Sequence, residues 1–253
     1  MWVIAEYEAT TLFSLKSSLA TSSAGKTLLV PTPFTLKMAL LDAAIRTRGL
    51  AQGRQDFEWL RDLRVAIRPA EQAVVTNLFA KIQKPKRTDK DSKKAEGVNN
   101  EAEPEIEVED SGGPFGPTIA YREYVHFQGR IGFAFEVQPT LLTGEATQVL
   151  SELLLHVNYL GKRGGFFQLV ALPFQTNSLP EDFVPLNVEN GPIRFNGILQ
   201  TLDDCGPDLT FDKADIYSDK KVKLGKERLL RSIVVPYRLE RSSRSYSLYR
   251  RLD

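Results

Sequence analysis

The chain has 253 residues, with 33 lysines and arginines against 32 aspartates and glutamates, two histidines and one cysteine. A single cysteine, Cys205, excludes an internal disulfide framework, and with only His126 and His156 beside it no zinc site has its ligands; no cofactor motif survives inspection. The N-terminus lacks a basic head and no stretch supplies the ~18 apolar residues of a membrane span, so a cytoplasmic protein with no membrane contact is expected.

Trp2 to Glu8 alternates with aromatic and β-branched residues and reads as a first strand, with Val3 and Ile4 near the core. Ala24-Gly-Lys-Thr27 ends as a phosphate loop ends, but Ala20 stands where the leading glycine belongs and prolines, not a helix, follow, which excludes ATP. Thr32 as N-cap, Pro33 at the first helical position and Gly49 past the end bracket a helix from Phe34 to Arg48. Its core stripe is Leu36, Leu40, Ala43 and Ala44. A short helix at Phe57 to Leu60 precedes a strand at Arg64 to Arg68.

Ala73 to Ile82 is extended, and Tyr121 to Phe127 is expected to pair with Arg130 to Val137 across Gln128-Gly129. Between them, residues 84–117 form a polar insertion, basic from Lys81 to Lys94 and acidic from Glu96 to Asp110, too poor in apolar residues to fold alone. Val149, Leu150, Leu153, Leu154 and Val157 place a second helix at Glu145 to Leu160, and Phe166 to Phe174 is a strand. The order strand, helix, strand, strand, helix, strand predicts an α+β, ferredoxin-like domain over residues 1–174. Residues 175–253 read as a small β-rich extension, with Ile193 to Leu202 and Leu229 to Leu239 as strands and a basic tail from Lys220 to Arg251.

The segment Gly161-Lys-Arg-Gly-Gly165 between that helix and strand has two readings. Glycines that bare backbone amides beside Lys162 and Arg163 suit the approach of a phosphate backbone, so Gly161, Lys162, Arg163, Gly164 and Gly165 are candidate nucleic-acid contacts. The alternative is a helix C-cap at Gly161 with cations at the negative end of the dipole.

The run Pro31-Thr-Pro-Phe-Thr-Leu-Lys-Met-Ala-Leu-Leu-Asp-Ala-Ala-Ile45, the charged insertion and Gly161-Lys-Arg-Gly-Gly-Phe-Phe167 together resemble the RAMP superfamily of CRISPR proteins. More narrowly, residues 1–174 look like the Cas-five subunit of type I Cascade complexes. The resemblance implies a non-catalytic subunit that grips the 5′ handle of the guide RNA (crRNA), caps the repeating backbone subunit through an inserted thumb, meets the large subunit and touches target DNA only indirectly. It implies RNA contacts from Thr32, Thr35 and Lys37 at a helix start, where amides and the dipole favour phosphate, and from Lys84, Lys86 and Arg87 at the thumb base. A processing endoribonuclease of the same fold is the rival reading. Tyr121, Tyr124 and His126 would carry it, yet no lysine stands in their strand.

Overall fold

The computed structural model describes residues 1–20, 24–85, 114–137, 143–162, 164–187 and 196–252. It is a mixed α and β fold with mainly antiparallel sheets. The first half of strand β1 (Trp2–Ala9) is apolar on both faces because both are covered there, whereas Glu6 and Glu8 follow on the Trp2 and Ile4 face. Val3, Ala5 and Tyr7 enter the main core, while Trp2 and Ile4 meet Ala66, Ala134 and Phe183 on the other side.

After the two-residue β2 (Ala24–Gly25), helix α1 (Pro33–Arg48) starts as expected, Thr32 Oγ1 accepting the Thr35 amide at 3.2 Å. Gly49, at φ 85°, gives its amide to the Ile45 carbonyl and turns the chain straight into α2 (Leu50–Arg61). The short helix expected at Phe57 to Leu60 is thus three turns long. Gly53 breaks its pattern in sequence and explains its packing in space, since a Cβ there would lie 2.5 Å from Ile45 Cγ1.

Strands β3 (Arg64–Arg68), β4 (Gln72–Pro85), β5 (Phe115–Gln128) and β6 (Arg130–Glu136) correct the expected hairpin. β5 pairs with β4 from Gln72↔Gln128 to Pro85↔Phe115, whereas β6 lies between β1 and β3. Gly129, at φ 88°, passes the chain from one sheet to the other. The reason is burial: Ile131, Phe133 and Phe135 face the main core while Ala134 faces the second cluster, so β6 needs a central position covered on both faces.

Helix α3 (Thr143–His156) ends four residues short of the expected Leu160, and the expected strand from Phe166 to Phe174 is divided into β7 (Phe167–Leu169) and β8 (Phe174–Thr176), both on β1. With β9 (Val184–Pro185), the first sheet runs β7-β1-β6-β3-β9, every neighbour antiparallel. The buried Tyr7 hydroxyl donates to the Leu154 carbonyl at 2.6 Å, tying α3 to β1.

β10 (Ile198–Cys205) pairs with β11 (Arg228–Val235), with the single-turn α4 (Phe211–Ala214) between them. Pro236 interrupts the expected strand from Leu229 to Leu239, and the chain continues as β12 (Tyr237–Ser242) and β13 (Tyr246–Arg251). The second sheet runs β12-β13-β4-β5-β2. The C-terminal residues therefore join both sheets, and Leu202, Leu209, Phe211, Val235 and Tyr237 share one core with the N-terminal elements.

Candidate nucleic-acid interface

The start of α1 and the glycine turn after α3 lie against each other, with the segment around Lys16 as the third wall. That segment is held in place by its pairing to residues 27 and 28: the Leu28 amide donates to the Leu15 carbonyl at 2.7 Å, and the Leu15 amide to Thr27 Oγ1 at 3.1 Å. The result is a cleft of about 350 Å³ whose lining includes Lys16, Thr32, Phe34, Thr35, Gly161, Lys162 and Arg228. A Cβ on Gly161 would stand in ordinary contact with Thr35, 3.9 Å from its Cγ2.

Arg228 stacks 4.2 Å from the Phe34 ring centroid and is paired with Asp203, so its charge is offset. Lys162 is held below the usual lysine range, first by partial desolvation and then by the like charges of Arg122 and Lys16. Glu123 on β5 accepts the Thr27 amide at 2.8 Å and the Tyr121 hydroxyl at 3.3 Å. Lys16 and Lys162 line the cleft together and repel one another, a repulsion that a bound anion would relieve.

Several expected contacts are corrected. Lys37 is 2% exposed and gives its ammonium to Asp204 Oδ1 at 2.6 Å, because it stands on the buried side of α1 with Leu36, Leu40 and Leu41, facing β10. It ties α1 to the C-terminal half. The C-cap reading of Gly161 fails too, since α3 has already ended at His156. Gly161 (φ 68°) and Gly164 (φ 120°) instead turn a small loop in which the Leu160 amide donates to the Gly165 carbonyl at 3.0 Å and Gly165 to Lys162 at 3.2 Å. The Gly165 amide is therefore spent within the turn, and Gly165 is buried, its hydrogen only making room for Phe13. Gly161, Lys162 and Gly164 are exposed.

Arg163, Lys86 and Arg87 lie outside the described residues, as does the side chain of Lys84, whose backbone pairs with Gly116. Tyr121, Tyr124 and His126 are not brought together. Tyr124 and His126 share one face of β5, while Tyr121 is on the other, its ring 5.1 Å from Phe79. The Ala24 to Thr27 segment pairs with β5 and the loop at Lys16, and no helix begins there. Sequence reasoning missed Lys16, Phe34 and Arg228, which share no motif or period; only the basic C-terminal block pointed toward Arg228.

No family model matches the chain, and no curated protein matches it in sequence. In structure it is similar to a CRISPR protein from Archaeoglobus fulgidus, at 12% identity over 100% of this chain and 92% of that chain, with a TM-score of 0.43. It is also similar to a chain of a CRISPR RNA-guided surveillance complex, at 16% identity over 92% of this chain and 90% of that one, with a TM-score of 0.46.

Proposed function

We propose that this chain is a non-catalytic, guide-RNA-binding subunit of a type I CRISPR ribonucleoprotein, of the Cas-five kind, acting in the cytoplasm. It holds the 5′ handle of the guide RNA, caps the repeating backbone subunit and contacts the large subunit, with target DNA reached only through the assembly. The observation that carries the reading is the cleft, in which the two segments behind the sequence resemblance, the α1 start and the glycine turn, meet beside Lys16 and Lys162. Such a site suits RNA phosphates, which bind by charge and by hydroxyl or amide donors without reading sequence. The strand order β7-β1-β6-β3, antiparallel throughout with α1 and α3 in one core, supports a ferredoxin-like domain, with the β4 and β5 hairpin as the stem of the thumb.

A non-catalytic role is supported by the placement of Tyr121 on the face of β5 opposite Tyr124 and His126. The test is co-expression of the tagged chain with its genomic neighbours and a repeat-containing transcript. Guide RNA of uniform length and a repeating subunit are expected to co-purify, and Lys16→Ala with Lys162→Ala is expected to release both. RNA retention unchanged in that double variant overturns the cleft as the handle site. Metal-independent cutting of repeat RNA that disappears in His126→Ala replaces this reading with the endoribonuclease.

A further inference from the structure

The second sheet has one face turned to the core and one turned outward. Ala73, Val75, Val125 and Phe127 are buried, while their neighbours Val74, Thr76, Tyr124 and His126 are only half-buried. β13 continues the outward face, since Tyr246 stands opposite Thr76 and Leu248 opposite Val74. Tyr246, Thr76 and Tyr124 therefore form one row across three strands, the two tyrosines separated by two strand spacings, ~9.6 Å. Across the adjoining strand, Arg241 pairs in register with Leu248, one row from the tyrosines, and Arg238 with Arg250, two rows from them, so three exposed arginines continue the same face. The one acid among them is Glu240, at the register shift in β12. It is paired with Arg250 at 2.9 Å and held below the usual carboxylate range by that hydrogen bond and by the charges of Arg250, Arg238 and Arg241.

We infer that this outward face is a second nucleic-acid surface, separate from the cleft, which takes a single strand by stacking bases on Tyr124 and Tyr246 and pairing phosphates with Arg238 and Arg241. Charge complementarity selects the occupant. A protein partner for a mainly basic face would have to bring carboxylates and leave the tyrosine rings without a specific fit, whereas a single strand supplies both a phosphate row and π-faces at once. A duplex supplies phosphates but hides its base faces within the stack.

The experiment is fluorescence anisotropy of the full chain with labelled oligo(U) of roughly 20 nucleotides and with an RNA duplex of equal length, over a salt series. Tyr124→Ala with Tyr246→Ala is expected to weaken oligo(U) binding at least ~5-fold, and Tyr124→Phe with Tyr246→Phe to bind as the unaltered chain does, because phenylalanine still stacks. Arg238→Ala with Arg241→Ala, whose side chains are exposed, is expected to lower the salt slope by ~1.4, or ~0.7 for each phosphate lost. Photocrosslinking with 4-thiouridine is expected to label peptides of β5 and β13. Unchanged affinity in the tyrosine-to-alanine variant, an unchanged slope in the arginine variant, equal binding of duplex and single strand, or crosslinks confined to the cleft would each overturn the inference. Crosslinks confined to the cleft would in addition support the handle-binding reading.

Discussion

Lys37 enters the core because its position on α1 repeats that of Leu40, Leu41 and Ala44, and Asp204 on β10 meets it there. Asp204 also accepts the Cys205 amide and the Asn187 side-chain amide, both at 2.8 Å, so its carboxylate is fully engaged. Lys37→Met leaves that charge buried and unpaired and is expected to cost about 3–5 kcal/mol, read as a lower urea midpoint at unchanged slope. Lys37→Met with Asp204→Asn should lose less, since asparagine keeps an acceptor and no buried charge remains; equal losses would mean that the ion pair is not the source. The glycines of the turn separate in the same way. Gly165→Val drives a side chain into Phe13, where even a Cβ would lie 2.7 Å from a ring carbon, and is expected to destabilise by about 1–3 kcal/mol or more. Gly161→Asn sits at φ 68°, a conformation asparagine accepts, and projects toward Thr35. It should melt like the unaltered chain yet lose RNA; retention of RNA with normal melting would remove the turn from the interface.

Among the elements, the β4 and β5 hairpin changes character along its length. Near its base, β4 pairs with β13 from Gln72 to Thr76, and β5 meets Phe13 at Val125 and β2 at Tyr121 and Arg122. From Leu78 to Pro85, and from Phe115 to Ala120, the two strands pair only with each other among the described residues. A two-stranded ribbon is marginal by itself. Hydrogen exchange should therefore be slow for the amides of residues 73–76 and 125–127 and faster by orders of magnitude for residues 79–84, as local opening costs far less than global unfolding. Uniform protection along β4 would show that a further surface covers the distal ribbon.

For the molecule as a whole, burial couples stability to alkaline pH. Burial pushes the Cys205 thiol up to about 12 and raises the hydroxyls of Tyr7 and Tyr237 above the ordinary tyrosine range. In the unfolded chain the thiol ionises near ~8.5 and the phenols near ~10. The folded state thus keeps protons that the unfolded state has lost. Its stability is full below about pH 8.5 and falls as pH rises toward 12, by at most ~1.4 kcal/mol per pH unit for each group. Melting temperature should be level to about pH 8.5 and decline beyond it, with a shallower decline in Cys205→Ala. A level profile to about pH 11 would contradict the burial of these groups.

Local chemistry by itself determined the first strand, both ends of α1, the core stripe of the second helix and the extended nature of both arms of the hairpin, because caps, periodicity and alternation act within a few residues. It also marked Thr32, Thr35, Gly161 and Lys162, which the fold brings into one cleft. Only the tertiary structure decided that β6 pairs with β1 and β3, since the choice of partner depended on which strand could be covered on both faces. Only it decided that Lys37 turns inward, because its acid lies 167 residues away in sequence. Lys16 reaches the cleft, and the tyrosines and arginines of β5, β12 and β13 reach one sheet face, through long-range pairing that no local pattern encodes.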